Sequence, residues 1–158
     1  MKVIFLDYDG VINRIDSPRY ATPVKMVGEI MTMAEPELVY RLNLLVDRTG
    51  AEIVLSSSWR HQHDWREALA ASGLVKPLLD RTPRYSSPTK YGINEIDLCR
   101  GHNIQDWLDE HPEVTRYAII DDSADILPSQ MASFFKTETA IGLTQEIADR
   151  IERHLMSL

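Results

Sequence analysis

Acidic residues at the end of an apolar run are the first candidates for chemistry in this sequence. In the stretch FLDYDGVIN, Asp7 and Asp9 flank a single tyrosine, and Gly10 follows them. A second acidic pair, Asp121 and Asp122, follows another apolar run later in the chain. Carboxylates gathered at the edge of a core repel each other and are costly to desolvate, so they need a counter-charge. Their oxygens suit a hard divalent ion, which indicates a Mg²⁺ site.

Such a site could hydrolyse a phosphate ester. Mg²⁺ bound by a few carboxylates keeps coordination positions for water and for phosphate oxygens. An aspartate can attack phosphorus to give an aspartyl-phosphate, and a second carboxylate can protonate the leaving oxygen and later activate water. A single aspartate of this kind often does no more than cap a turn. Two acidic clusters, each directly after an apolar run, favour a catalytic site instead.

The composition is that of an ordinary globular protein. The chain has 158 residues, of which 44% are hydrophobic and 26% charged, and we predict a single domain over residues 1–158. The net charge of −7 disfavours a protein that coats nucleic acid, although a local basic pocket is compatible with it. Cys99 is the only cysteine, so neither an intrachain disulfide nor a cysteine zinc cluster is expected. Because no apolar stretch has membrane-spanning length and the N-terminus lacks a signal-peptide core, we expect a cytoplasmic protein without a membrane partner.

Apolar runs without alternation indicate strands that are buried between two layers of helices. Such runs occupy residues 3–6, 53–55 and 117–120, and weaker strands are predicted at 78–81 and 134–136. Helical patterns lie between them, at residues 37–48, 61–72, 103–110 and from Thr144 onwards. This alternation predicts an α/β fold, a three-layer sandwich around a mainly parallel central sheet.

Three of the predicted strands are followed directly by a polar residue. These residues are Asp7, Ser56 and Asp121. Ligands of open α/β sheets bind beyond the carboxyl ends of the strands. The three loops are far apart in the chain and should meet at one edge of the sheet, which is the main argument for a site there.

The same residues resemble the motifs of a known family. DYDGVIN resembles the first motif of the haloacid dehalogenase (HAD) superfamily of phosphohydrolases, IVLSSSWR the second, and IIDDSAD the fourth. The third motif is a Lys or Arg ahead of the strand with the acidic pair; Arg100 in CRGHNIQDWL is the best match and Lys90 is the alternative. SSSWR and CRGHNI are also similar to segments of small HAD domains associated with RNA-repair proteins. The resemblance implies a HAD-like, Rossmannoid sandwich.

The resemblance also implies a role for each matching acidic or basic residue. Asp7 would be the nucleophile and a metal ligand, and Asp9 the general acid and base, with its backbone carbonyl on the metal. Asp122 would complete the Mg²⁺ shell, with Asp121 as a further ligand or as the residue that orients it. Arg100 would neutralise the phosphate and the nucleophile.

The serine run would supply a phosphate contact. Ser56 would hydrogen-bond a phosphate oxygen, and Ser57 is the alternative because three serines in a row leave the register open by one. Trp59 and Arg60 follow at the edge of the site. An aromatic ring and a guanidinium there could stack a base and hold a phosphate. Alternatively, Trp59 packs under the next helix.

The space around the site bears on the size of the substrate. The insert at about residues 13–33 suits a small flap and is too short for a cap domain with its own core, and residues 60–100 leave no room for one either. We therefore expect an open site that accepts a bulky phosphorylated substrate, such as a nucleic-acid end or a phosphoprotein. The alternative is a small substrate enclosed by the flap or by a second subunit. Arg14, Arg19 and Lys25 make the flap locally basic and are candidate substrate contacts, unless they form an ordinary solvated face.

The favoured function is a Mg²⁺-dependent phosphomonoester hydrolase that acts through an aspartyl-phosphate. Its sharpest version is a polynucleotide 3′-phosphatase, and the close alternative is a small-molecule phosphatase such as a nucleotidase. A different class is a phospho-accepting signalling domain of receiver type, which also uses an acidic pair, an acceptor Asp and Mg²⁺. Receiver domains place the acidic pair first and the acceptor in mid-chain. Here DYDG comes first and the pair comes late, which favours the hydrolase.

Overall fold

The central element of the structure is a sheet of five parallel strands. The computed structural model describes residues 1–16, 25–27, 30–32 and 34–157. In chain order its strands are β1 (Lys2–Leu6), β2 (Lys25–Val27), β3 (Ile30–Thr32), β4 (Glu52–Leu55), β5 (Asp80–Arg81), β6 (Arg116–Asp121) and β7 (Phe134–Lys136). The order across the sheet is β5-β4-β1-β6-β7, and every pair of neighbours is parallel.

Helices cover both faces of this sheet. They are α1 (Pro36–Thr49), α2 (Trp65–Ala71), α3 (Pro88–Tyr91), α4 (Arg100–Glu110) and α5 (Gln145–Met156). On β1, Ile4 and Leu6 share a core with α1, α2 and α5, whereas Val3 and Phe5 share a core with α4. The predicted three-layer α/β sandwich is therefore confirmed. Among the described residues, no helix combines the length and the apolar character needed to cross a bilayer.

The flap predicted at about residues 13–33 is described only in part. β2 and β3 form an antiparallel hairpin in which Lys25 pairs with Thr32 and Val27 with Ile30, and this hairpin lies beside α2. Within the described ranges, no element outside the sheet and its helices is large enough to form a cap domain. The predicted absence of a large cap is confirmed.

The helix predicted at residues 61–72 begins later than expected, at Trp65. The preceding residues, Ser58–His61, form a 3₁₀ turn instead. In this turn the hydroxyl of Ser57 accepts the backbone N–H of Trp59, and Arg60 Nη1 donates to the carbonyl of Ser57. These local bonds compete with the α-helical pattern and delay the helix by one turn.

The helix predicted at residues 103–110 begins earlier than expected, at Arg100. The ring of His102 accepts the backbone N–H of Cys99 at 2.9 Å, which satisfies a donor at the start of the helix. Histidine is not among the usual N-terminal capping signals, so the sequence pattern misses this start. The earlier start matters because it fixes the backbone of Arg100.

Backbone hydrogen bonds continue past the strand ends and hold the following loops side by side. The N–H of Asp7 donates to the carbonyl of Ile120 at 3.0 Å, and the N–H of Ser56 donates to the carbonyl of Leu6 at 2.9 Å. The loops after β1, β4 and β6 therefore meet at one edge of the sheet, as the parallel topology predicts.

Candidate active site

Three carboxylates lie together beyond the ends of β1 and β6. One oxygen each of Asp7, Asp121 and Asp122 lies within 4.8 Å of the other two. Asp7 is only 4% exposed and Asp121 is fully buried, so water screens their charges poorly. Carboxylate oxygens in this number suit Mg²⁺, which binds through a few carboxylates and keeps several waters. These residues could hold the predicted ion.

The guanidinium of Arg100 lies between two of these carboxylates. Its Nη1 is 3.0 Å from Oδ1 of Asp7 and also contacts Oδ2 of Asp121. The backbone N–H of the same residue donates to the carboxylate of Asp125 at 3.0 Å, which fixes the first turn of α4. A positive charge fixed at this point offsets the repulsion within the cluster and would also attract a phosphate group.

Burial raises the pKa of both Asp7 and Asp121. For Asp7 the loss of water is the largest cause, and the charge of Arg100 together with a hydrogen bond from Ser57 opposes it. For Asp121, burial and then the negative charge of Asp7 raise the pKa to about 7, although Arg100 acts in the opposite direction. The charge of one guanidinium therefore does not fully offset the burial and the mutual repulsion of these carboxylates. A divalent cation would stabilise the charged forms and lower both pKa values.

The loop after β1 touches the loop after β6 at Gly10. Its φ of +72° lies in the left-handed region that glycine adopts readily, and a Cβ at this position would overlap the carboxylate of Asp122. The Thr139 hydroxyl donates to Oδ2 of Asp122 at 2.6 Å, and the Thr137 hydroxyl donates to the carbonyl of Gly10 at 2.7 Å. Gly10 thus permits the expected turn and also the close approach of Asp122 to Asp7.

The carboxylate of Asp9 is held apart from the buried cluster by two donors. Its Oδ1 accepts a hydrogen bond from Asn13 Nδ2 at 2.8 Å, and its Oδ2 accepts one from the indole Nε1 of Trp59 at 3.2 Å. Asn13 is fully buried, and its Oδ1 accepts the backbone N–H of Gly10 at 2.9 Å. The Trp59 ring is stacked on Tyr8 with the ring centroids 4.3 Å apart. The indole N–H is therefore fixed, and so is the carboxylate that it contacts.

Of the two serines proposed from the sequence, Ser57 is the one whose hydroxyl influences a catalytic candidate. It acts to lower the pKa of the Asp7 carboxylate. Ser56 is also fully buried, but its Oγ has no hydrogen-bond partner among the described residues. This effect on Asp7 makes Ser57 a candidate for the phosphate contact beside Ser56.

Arg60 holds the loop that carries these serines in place through hydrogen bonds. Its Nη1 donates to the carbonyls of Ser56 and Ser57 at 2.9 and 3.1 Å, and its Nη2 donates to Oδ1 of Asn103 at 3.2 Å. Its Nε donates to the carbonyl of Pro83 at 3.3 Å. These bonds support a role for Arg60 in positioning the serine loop.

The two serines can be distinguished by substitution. Ser57→Ala should lower kcat/KM for a phosphomonoester at least about tenfold, because it removes a fixed donor beside the nucleophile candidate. Ser56→Ala should change kcat/KM less than about threefold, and the free energy of unfolding should hold or rise, since a buried unpaired hydroxyl costs roughly 1–3 kcal/mol. Steady-state kinetics and urea unfolding of both variants test this. A larger kinetic loss in Ser56→Ala would assign the phosphate contact to Ser56.

The remaining sequence candidates lie outside the carboxylate cluster. Lys90 pairs with Asp106 at 2.5 Å and with Asp109 at 2.7 Å, so Arg100 is the third-motif candidate that contacts Asp7. In the flap, Arg14 pairs with Glu35 at 3.5 Å and is 40% exposed. Arg19 lies outside the described residues, and the structure describes only the backbone of Lys25.

Sequence reasoning missed two residues that orient the carboxylates. Asn13 holds Asp9, and Thr139 holds Asp122. A signal existed for Asn13, because it is a polar residue directly after the apolar Val11 and Ile12 of the first motif. Thr139 has no such signal, since its contact with Asp122 depends on how the loop after β7 folds back.

Most of the chain matches a known protein family. A family model described as the HAD domain in Swiss Army Knife RNA repair proteins matches residues 3–148. The chain belongs to this HAD family. Comparisons with curated proteins and with solved structures gave no match.

Membership of the HAD family fits the geometry of the site. It makes the chain a HAD-type phosphohydrolase and favours this class over a receiver-type signalling domain. HAD proteins generally use Mg²⁺, and the buried cluster of Asp7, Asp121 and Asp122 is compatible with such an ion.

Proposed function

We propose that this HAD domain is a Mg²⁺-dependent phosphomonoesterase that acts through an aspartyl-phosphate on the 3′-phosphate of a polynucleotide. The observation that carries the proposal is the arrangement around Asp7. A buried carboxylate is paired with Arg100 and lies in a cluster that could bind a cation, while the Asp9 carboxylate is held separately by Asn13 and Trp59. The two carboxylates thus have different surroundings, which suits Asp7 to act as the nucleophile and Asp9 as the acid–base group.

In the first step, an oxygen of Asp7 attacks the phosphorus of the bound monoester. The phosphorus–oxygen bond to the substrate breaks, and the leaving oxygen takes a proton from Asp9. Arg100 contacts the Asp7 carboxylate, and the hydroxyl of Ser57 acts to lower the pKa of that group, so both are candidates to hold the phosphoryl oxygens. Bound Mg²⁺ would supply positive charge that offsets the negative charge of the phosphate and the carboxylates.

In the second step, water hydrolyses the aspartyl-phosphate. Asp9, now ionised, takes a proton from the water as the water attacks phosphorus, and the bond between phosphorus and the Asp7 oxygen breaks. Inorganic phosphate leaves, and both carboxyl groups return to their starting states. The two hydrogen bonds that fix Asp9 serve both steps, because the same carboxylate must face the leaving oxygen and then the water.

The substrate class rests on two further observations. The family is described as that of HAD domains in RNA-repair proteins, which favours a phosphorylated nucleic-acid substrate. Within the described residues, no cap domain encloses the site. A site without a large cap leaves room for a chain that continues beyond the scissile phosphate.

A panel of phosphate esters tests the proposal. The panel contains a 3′-phosphorylated oligonucleotide, its 5′-phosphorylated counterpart, a 3′-mononucleotide and a sugar phosphate, each assayed for phosphate release with Mg²⁺ and with EDTA. We expect turnover only with the metal, and at low salt we expect kcat/KM for the 3′-phosphorylated oligonucleotide to exceed that for the mononucleotide about tenfold, because neighbouring nucleotides add binding.

Three other results would each contradict part of the proposal. Equal turnover in EDTA would contradict the role of Mg²⁺. A mononucleotide that is the better substrate at low salt would favour a small-molecule phosphatase such as a nucleotidase. Lack of turnover on every member of the panel would contradict the phosphomonoesterase assignment itself.

A further inference from the structure

We propose that a cleft beside the carboxylate cluster binds the nucleotide that carries the scissile phosphate, with Tyr85 stacking on its base and Arg84 contacting the next phosphate. This inference rests on the proposed function and names the substrate-binding surface of the same site. The cleft is about 410 Å³ in volume, within the range of about 300–1,000 Å³ that is typical of ligand pockets.

The cleft opens from the reactive end of the site. Arg100, which contacts Asp7, also lines the cleft, as does Ser58, which follows Ser57 in the serine run. A phosphate bound beside Asp7 and Arg100 would therefore lie next to the cleft. This connection makes the cleft a suitable space for the leaving group.

One wall of the cleft is a loop that the protein holds in place. Arg60 Nε donates to the carbonyl of Pro83, and Asn103 Nδ2 donates to the hydroxyl of Ser86 at 2.9 Å. Arg84 Nη2 donates to the carbonyl of His61 at 3.2 Å. The loop is thus anchored at both ends, and it presents Tyr85 outward from a fixed backbone.

Tyr85 offers an aromatic face to this cleft. The residue is 82% exposed, and its ring centroid lies 5.7 Å from that of His61, which lines the same cleft. Aromatic rings exposed on a fixed loop are suited to stacking on bases, and this contact tolerates any base because every base has a π-face. A second aromatic group beside the first enlarges the stacking surface.

The cleft is also locally basic in an acidic protein. Burial and the positive charges of Arg60, Arg84 and Arg81 lower the pKa of His61. Two carboxylates, Glu95 and Asp125, also line the cleft, and one of them is bonded to the backbone of α4. Three guanidinium groups therefore act on His61 beside Tyr85, and positive charge of this kind attracts the phosphates of a nucleic-acid chain.

Substitution of Tyr85 tests the cleft against a matched surface residue. The measured quantity is the ratio of kcat/KM for a 3′-phosphorylated dinucleotide to kcat/KM for p-nitrophenyl phosphate. Tyr85→Ala should lower this ratio about tenfold through loss of base stacking, and Tyr85→Phe should restore it to within about twofold of wild type. The control is Tyr40→Ala on α1, which removes an aromatic ring that is 64% exposed and should not change the ratio.

The charge contact has its own test. Arg84→Gln should lower the ratio about threefold at low salt, and the loss should shrink as salt is added, because an exposed phosphate contact is screened. Arg48→Gln on α1 is the control, since Arg48 is 51% exposed and lies outside the residues that line the cleft. A loss of similar size in both variants would contradict the role of Arg84.

Binding separates failure of this inference from failure of the proposed function. The probe is a fluorescein-labelled 3′-phosphorylated dinucleotide, and its anisotropy is measured with wild-type protein and with Tyr85→Ala. Weaker binding to Tyr85→Ala would support the cleft even if no substrate were hydrolysed. An unchanged ratio and unchanged binding in Tyr85→Ala would overturn the inference and leave the phosphatase assignment intact.

A phosphoserine peptide that is the better substrate and shows the same dependence on Tyr85 would overturn the nucleotide assignment.

Discussion

Asp7→Asn should abolish phosphate release while the protein remains folded. Asparagine has nearly the same shape as aspartate, but its amide is a poor nucleophile toward phosphorus. We expect kcat to fall at least about 1,000-fold, which corresponds to about 4 kcal/mol in the activation barrier. The loss is large because the same carboxylate also belongs to the cluster that could bind the metal. Phosphate release and thermal unfolding, measured on one preparation, provide the test.

The fold should survive this change because of the charges around Asp7. Burial raises the pKa of this group, so removing its charge relieves a desolvation cost and the repulsion that it exerts on Asp121. Arg100 keeps its contact with Asp121. Asp47→Asn on the exposed face of α1 is the matched control and should retain full activity. Turnover of Asp7→Asn within about tenfold of wild type would exclude Asp7 as the nucleophile.

Asp9→Asn should slow substrates with poor leaving groups far more than activated ones. An alkyl phosphate needs a proton on its leaving oxygen, and loss of a general acid typically costs about 100- to 10,000-fold. We expect a loss of at least about 100-fold for an alkyl phosphate. For p-nitrophenyl phosphate, whose leaving group needs little protonation, we expect less than about tenfold as long as breakdown of the aspartyl-phosphate is not limiting. Pre-steady-state bursts on both substrates measure the first step.

Trp59→Phe provides a second route to the same group. Phenylalanine can keep the stacking on Tyr8 but lacks the indole N–H that donates to Asp9. The variant should show a weaker form of the same leaving-group dependence, with the alkyl phosphate slowed more than the aryl phosphate. Equal losses on both substrates in Asp9→Asn would argue against the acid role. If only Trp59→Phe showed equal losses on the alkyl and the aryl phosphate, Trp59 would support the site by packing and not through its hydrogen bond to Asp9.

The sheet and the acidic cluster could be predicted because both depend on short, local patterns. The run at residues 3–6 is apolar on both faces, which already requires two layers of helices. Parallel strands then bring Asp7 and Asp121 to one edge without any further information. The late start of α2 could not be predicted, because it follows from hydrogen bonds of Ser57 and Arg60 that appear only once the loop is formed.

The directions of the side chains that follow β4 could not be predicted from the sequence for a similar reason. Three consecutive serines have the same chemistry, and a shift of one residue decides which hydroxyl faces the site. Tyr85 is a harder case still, because nothing in its local pattern connects it to a site. Its position depends on Arg60 and Asn103, two residues from distant segments that anchor its loop.

The small space beside Gly10 limits which residues can occupy this position. Because a single added carbon at this position would meet the carboxylate of Asp122, even alanine would push the first and fourth motifs apart. In a library of variants selected for activity, residue 10 would therefore behave like a catalytic position although it has no side chain. If this domain were engineered toward other substrates, residues in the walls of the cleft could be replaced, whereas almost no replacement would be tolerated where these two loops touch.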